Sequence, residues 1–158
     1  MKVRRATDDD RLWVADAITG AFASMRVVSR GRVHPDASVL DGFVVENDGR
    51  PIGCALWHEI DGDAELVVLV TTYRGVGAGG ALLDAVVDHA RQAGWTRLWL
   101  ITTNDNTDAI RLYQRDGWEW CGFHRDAVTD ARPLKPELPE TGNHGIPIRH
   151  EIEFEYPL

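Results

Sequence analysis

Cysteine is scarce in this chain of 158 residues: only Cys54 and Cys121 are present. They show neither metal-ligand spacing nor a close redox pair, which excludes zinc-ribbon and dithiol motifs. The simplest reading is two reduced thiols packed inside strands, with a disulfide or a reactive thiol as alternatives. Long apolar runs are missing as well. Nothing approaches the ~20 apolar residues of a membrane span. The N-terminal Met1-Lys2-Val3-Arg4-Arg5 leads to Asp8-Asp9-Asp10, where a secretory signal would carry its apolar region. A cytoplasmic protein is therefore expected. Basic residues are in deficit: 17 Lys+Arg against 25 Asp+Glu leaves a formal charge of −8. Duplex nucleic acid and anionic membrane both need a basic footprint, so neither is the expected partner.

What remains is ordinary globular material, 44% hydrophobic and 27% charged, of a length suited to one domain spanning 1–158. A short strand over Lys2 to Ala6 precedes a helix that Asp8 or Asp9 can cap. Leu12, Trp13, Ala15, Ala17, Ile18, Ala21 and Phe22 supply its apolar face. Ser29 to Leu40 reads as a loop with a turn of helix. Two strands follow, Gly42 to Glu46 and Pro51 to Ile60, joined by the turn residues Asn47-Asp48-Gly49-Arg50. Asp61-Gly62-Asp63 turns the chain into Ala64 to Thr71. The run Leu66-Val67-Val68-Leu69-Val70 implies burial on both faces, hence a central strand. A helix then carries Leu82, Leu83, Val86, Val87 and Ala90 and stops at Gly94. Strand Arg97 to Thr102, helix Asn106 to Arg115 and strand Trp118 to Val128 complete the regular part. Asp130 to Pro147 holds four prolines and two glycines and reads as a long functional loop. Ile148 to Tyr156 alternates as a terminal strand with one wet side.

The most informative segment is Thr71-Thr72-Tyr73-Arg74-Gly75-Val76-Gly77-Ala78-Gly79-Gly80. It links a buried strand to an amphipathic helix. The first amides of a helix have no intrahelical partner and sit at the positive end of the dipole, so phosphate or pyrophosphate is the expected ligand. Two sites compete for this pattern. Gly75, Gly77 and Gly80 fit the dinucleotide spacing G-x-G-x-x-G, with Asp105 as the ribose-binding acid. The surrounding order argues against it, because a hairpin-rich stretch comes first and only two βα units are available.

The second site fits better. Arg74-x-x-Gly77-x-Gly79 resembles the acyl-coenzyme A pyrophosphate loop of the GNAT superfamily of N-acetyltransferases. Asn106-x-x-Ala109-x-x-x-Tyr113 followed by Gly117-Trp118 resembles the family's second signature, although Trp118 stands where Phe is usual. The order of elements agrees over nearly the whole chain. The stretch from Arg132-x-Leu134-Lys135-Pro136 to Arg149 resembles one group of small bacterial members. The resemblance implies an α/β (α+β) GNAT-like acyl-CoA N-acyltransferase fold. Its sheet would be mixed, mostly antiparallel and six- to seven-stranded, flanked by about four helices.

It also implies an acyltransferase with acetyl-CoA as co-substrate and no metal. The backbone N–H groups of Gly75, Val76, Gly77, Ala78, Gly79 and Gly80 would bind the pyrophosphate, flanked by Arg74. An N–H near Leu69 or Val70 would polarise the acetyl carbonyl. Asn106, Ala109 and Tyr113 share one helical face. Asn106 would hydrogen-bond the pantetheine arm, Ala109 would leave room for it, and Tyr113 would protonate the leaving thiolate. Asn106 as a plain helix cap and Tyr113 as a plain core aromatic are the bland readings. Glu65 resembles the general base of some members, acting directly or through water; Glu59 and His58 are rivals, and loss of the proton to bulk water, with no dedicated base, is a further alternative. His34, His124 and His150 are candidates for lining the acceptor pocket.

That pocket is expected between Ser29–Leu40 and the Asp130–Pro147 loop. The acceptor is expected to be a primary amine of a small molecule or protein, favoured as a cation by the acidic charge. Glu151, Glu153 and Glu155 read as a solvated edge face, and the last strand offers an edge for a homodimer. A non-catalytic acyl-CoA-binding module and a small NAD(P)-binding oxidoreductase are the alternatives.

Overall fold

A computed structural model describes residues 1–158. The strands are β1 (Lys2–Arg5), β2 (Val27–Ser29), β3 (Arg32–His34), β4 (Asp41–Asn47), β5 (Arg50–Ile60), β6 (Asp63–Thr71), β7 (Arg97–Thr103), β8 (Glu119–His124) and β9 (Glu151–Tyr156). The helices are α1 (Arg11–Phe22), α2 (Ala78–Ala93), α3 (Thr107–Arg115) and the short α4 (Ala127–Ala131). Seven strands form one sheet in the order β1-β4-β5-β6-β7-β9-β8. Every pairing is antiparallel except β6 with β7. The mixed, mostly antiparallel α/β architecture read from the sequence is the one observed.

The central strand is buried on both faces, and the two faces have separate cores. On one, Val45, Ala55, Trp57, Leu66 and Phe154 pack with Leu82, Leu83, Val86 and Ala90 of α2. On the other, Val14 and Ile18 of α1 pack on Val44, Cys54, Leu56, Val68 and Val70. α1 therefore buries a narrower stripe than expected: Leu12 is 83% exposed and Ala21 also faces solvent, while Val14 fills the core. Its N-terminus differs too. Neither Asp8 nor Asp9 caps it; a short helical turn over Asp8–Asp10 precedes it, and the Thr7 N–H donates to Asp10 at 2.8 Å. Asp10 is buried and receives two Arg4 donors at 2.7 and 2.8 Å, which hold its carboxyl near pKa 2.

Three other segments depart from expectation. Within 29–40 the expected helical turn is present, over Ala37–Val39, but the chain before it forms the outer part of a two-stranded hairpin, β2 with β3, rather than a loop. Arg30 and Gly31 both take positive φ, 47° and 73°, the geometry of a tight two-residue hairpin turn. β8 ends at His124, and Val128 lies in α4 rather than in a strand. β9 starts at Glu151 and is an interior strand between β7 and β8, so both its edges are used. It cannot offer a free edge to a second copy.

Candidate active site

β6 and β7 start side by side, pairing Asp63 with Arg97, Ala64 with Leu98 and Glu65 with Trp99. No rung joins them beyond that point, although β6 runs on to Thr71 and β7 to Thr103. The two strands splay, and the gap opens toward their C-terminal ends. Helices α2 and α3 begin there, where parallel strands in open sheets place their ligands. The splay has a local cause. Leu56 pairs with Val68 and Trp57 with Leu66, so Val67 is an extra residue, a β-bulge. Bulges bend the strand that carries them and end pairing on one side. This one also switches faces: Leu66 packs with the α2 core and Val68 with the α1 core.

Main-chain directions along β6 follow from one bond. Thr72 N–H donates to Ile52 C=O at 2.8 Å, and residues 52 and 72 are directly opposite. Antiparallel ladders alternate, so Val70 and Val68 exchange hydrogen bonds with Cys54 and Leu56. Leu69 and Thr71 direct their N–H and C=O groups into the splay. Of the two strand residues singled out from the sequence, Leu69 faces the gap with its main chain and Val70 faces β5.

The glycine loop closes the open end. Gly75 and Gly77 take φ of 77° and 78°. These turns leave the amides of residues 75–80 without any protein acceptor, at the N-terminus of α2. Residues 72–77 are exposed, and Ala78 is buried beneath them. Gly79 and Gly80 serve close packing: a Cβ on Gly79 would lie 3.2 Å from Leu112 of α3, and one on Gly80 3.3 Å from Asp116. Arg74 is exposed and pairs with Asp108 in the first turn of α3 at 2.6 Å. That guanidinium holds the Asp108 carboxyl below its usual range.

On α3 the Asn106 carboxamide oxygen caps the helix, accepting the Ala109 N–H at 3.4 Å. Its NH₂ has no partner in the protein. Tyr113 is 7% exposed and packs on Trp118 and Phe154, with ring centroids 6.0 and 5.5 Å away. Its hydroxyl makes no hydrogen bond but is not among the fully enclosed orphan atoms, so it reaches open space. Burial pushes the phenol well above its ordinary pKa, so it stays protonated at neutral pH.

The other wall is made of side chains. Glu65 is 3% exposed, and its carboxylate accepts no hydrogen bond. The nearest partner is His34 Nε2 at 3.9 Å, contributed by β3. His34 and His58 stand edge to face at 5.3 Å, and Arg32 Nη1 lies 2.9 Å from His58 Nδ1. The other titratable candidates have duties elsewhere. Glu59 accepts the Gly62 N–H at 2.6 Å in the β5–β6 turn. His124 pairs with Glu153 at 2.9 Å, and His150 accepts the Asp126 N–H at 2.8 Å.

The acidic row on β9 is not a free edge face. Glu151 is buried and holds Arg30 at 3.1 Å. Arg97 bridges Glu153 and Glu155 at 2.8 and 3.2 Å. Burial alone would raise the Glu153 carboxyl; the bonds from His124 and Arg97 outweigh it and hold it low. Asp105 is buried and fastens the long loop, accepting Thr103 Oγ1 at 2.5 Å and the Asn143 N–H at 3.0 Å. That carboxylate is committed to structure, which removes the ribose-binding role in the dinucleotide reading. The loop meets the approach to β2 through Ser24 with Glu137 at 2.9 Å and Arg26 with the Leu134 carbonyl at 3.1 Å. Of the two thiols, Cys54 is buried, which pushes it up to about 12; Cys121 is exposed, contrary to expectation.

Sequence reasoning missed the Val67 bulge, the β2–β3 hairpin and the anchoring roles of Asp105 and Glu151. Only the hairpin had a signal, Val27-Val28-Ser29-Arg30-Gly31-Arg32-Val33, a two-residue turn with glycine second between β-branched arms. No helix is long and apolar enough to cross a membrane.

Comparison with known proteins agrees with this geometry. Residues 14–118 match the family model for the acetyltransferase (GNAT) family. A Bacillus subtilis protein, YdhI, is 45% identical over 117 residues, 73% of this chain and 72% of that one. Streptothricin acetyltransferase of Streptomyces lavendulae is 44% identical over 51 residues, 32% of this chain and 27% of its own. Among solved structures, a GNAT family acetyltransferase from Elizabethkingia anophelis with acetyl-CoA bound superposes with a TM-score of 0.71 at 18% identity, covering 99% and 97% of the two chains. The bulged, splayed strand, the glycine loop and the Asn106–Tyr113 helix thus lie on a chain that belongs to the GNAT acetyltransferase family.

Proposed function

We propose that this protein transfers the acetyl group of acetyl-CoA to a primary amine of a small molecule or protein, by direct attack in a ternary complex. The observation that carries the reading is the row of unpaired amides at residues 75–80, at the mouth of the gap between β6 and β7. A diphosphate accepts those hydrogen bonds at the positive end of α2. The pantetheine arm then runs along the outward main chain of β6, with Asn106 NH₂ available to its amides. The Leu69 N–H points into the gap as an oxyanion donor, while the ladder occupies that of Val70.

Arg74 exchanges its Asp108 partner for phosphate. Both side chains are exposed, and an ion pair of that kind is worth little in water. Tyr113, kept protonated by burial, supplies the proton for the departing thiolate. Glu65 takes the proton of the incoming ammonium. The acceptor enters under the β2–β3 hairpin beside the long loop. Holding both reactants in one cleft converts a bimolecular step to a unimolecular one, worth roughly 7–11 kcal/mol at best.

The test is calorimetric titration with coenzyme A, followed by a thiol-release assay over a panel of polyamines, amino acids, aminoglycosides and N-terminal peptides. Saturable coenzyme A binding plus amine-dependent thiol release is expected. Absence of coenzyme A binding sinks the reading.

A further inference from the structure

Three buried polar residues lie on the β2–β3 hairpin and on β6, Ser29 and His34 on the first and Glu65 on the second. His34 Nε2 and Ser29 Oγ are fully enclosed and have no hydrogen-bond partner. Glu65 is a buried residue whose carboxylate accepts no hydrogen bond, yet its oxygens are not fully enclosed and reach open space. Leaving an enclosed group such as His34 Nε2 unpaired costs ~1–3 kcal/mol, so native structures retain few of them, and those that persist need an explanation. His34 Nε2 is aimed at Glu65 Oε2 across 3.9 Å. That is too long for a hydrogen bond and about one ångström more than a charge-assisted bond needs. Donor–acceptor distances of this kind are often long before substrate binds.

The hairpin that carries His34 is fastened by side chains at two points. Arg30 holds Glu151, and Arg32 holds His58, the residue opposite Glu65 on β5. The titratable and charged groups that face His34 are Glu65 on β6 and His58 on β5, the latter held by Arg32; the hairpin turn further holds Glu151 on β9 through Arg30. The two arginines are each matched. Among the ionisable groups, the imidazole of His34 and the carboxylate of Glu65 are left to answer one another.

We infer that His34 and Glu65 hold the acceptor's proton as one pair, with Glu65 touching the amine and His34 acting through it as a positioning residue. This rests on the acetyl-transfer reading. The ammonium gives one proton to the Glu65 carboxylate, which passes it to His34 Nε2, leaving carboxylate and imidazolium. The freed lone pair forms the C–N bond. The C–S bond breaks with its electrons on sulfur, Tyr113 protonates the sulfur, and the second proton lost by nitrogen restores Tyr113. One proton is released overall, and the pair holds it until product leaves.

The pair is testable without knowing the acceptor. Urea midpoints of wild type, His34→Gln, Glu65→Gln and the double variant are compared at about pH 5.5 and pH 8.5, on either side of the ordinary histidine midpoint. The expected result is a double-mutant coupling at the lower pH that vanishes at the higher one, since only imidazolium attracts carboxylate. Additive effects at both pH values, or equal coupling at both, overturn the pair.

Should a variant not fold, the wild type decides. Across the histidine range the Glu65 carboxyl ¹³C resonance is expected to respond together with the His34 ring ¹⁵N resonances; a carboxyl signal that stays fixed while the ring changes overturns the pair. In the amine assay, either substitution and the double one are expected to lower kcat alike while leaving the KM for acetyl-CoA unchanged. Loss of acetyl-CoA binding would defeat the transfer reading without altering these spectra. Independent titration would defeat the pair and leave transfer standing.

Discussion

The two walls of the cleft are built from different material. The wall from Leu66 to Tyr113 offers main-chain groups: loop amides at residues 75–80, the outward edge of β6 and the start of α3. The wall under the hairpin offers side chains: Glu65 and His34, both buried. Main-chain recognition is indifferent to most side chains and demands only small residues and positive φ, so it suits a constant ligand. Side-chain recognition changes with each substitution, so it suits a ligand that differs among relatives.

Four experiments would sharpen or break this contrast. The largest effect is expected from Tyr113→Phe. It removes one oxygen and keeps the ring packing, so turnover should fall by about 10²–10⁴-fold with coenzyme A affinity within about twofold. Parallel loss of both would make Tyr113 a packing residue only. Next, Gly77→Val puts a β-branched side chain at φ 78°. Coenzyme A affinity by calorimetry should weaken roughly tenfold or more, about 1.4 kcal/mol. Unchanged affinity would mean that the loop amides do not carry the binding.

The third concerns stability away from the cleft. The Arg4 guanidinium holds the Asp10 carboxyl at about 2, below its ordinary 3.8. A depressed carboxylate stabilises the fold above the unfolded pKa, and that contribution is lost as pH falls from about 4 to 2. It amounts to on the order of 2 kcal/mol. Denaturation midpoints should drop across that window, and Asp10→Asn should flatten the drop. The smallest effect is chemical: one thiol, Cys121, should react with a disulfide reagent in the native state, and both in denaturant. Two fast thiols in native protein would show that the Cys54 strand opens readily.

The same contrast explains which parts were legible in the sequence. The glycine loop is legible because consecutive residues make it. Gly75 and Gly77 announce positive φ, and the helix after them announces free amides. The Asn106–Tyr113 spacing is legible because one helix face aligns i, i+3 and i+7. The wall under the hairpin joins residues remote in sequence. His34 meets Glu65 only because β3 folds over the sheet, and Arg30 meets Glu151 for the same reason. The alternation of Glu151, Glu153 and Glu155 was legible, but their partners Arg30, Arg97 and His124 come from three other segments. Asp105 looked like a ligand-binding acid at a strand end. Only the fold brings Gly142 so close that a Cβ there would overlap its carboxylate.

Local chemistry thus determined the element order, the central position of the Leu66–Val70 strand and the anion site before α2. Periodicity, turn residues and unpaired helix amides act over a few residues. Tertiary structure alone decided that Val67 bulges, that β6 parts from β7 after Glu65, that the last strand lies inside the sheet, and that a histidine faces a buried carboxylate. Each of these depends on which strands become neighbours. Neighbourhood is settled by burying two faces of one sheet at once, a condition on the whole chain.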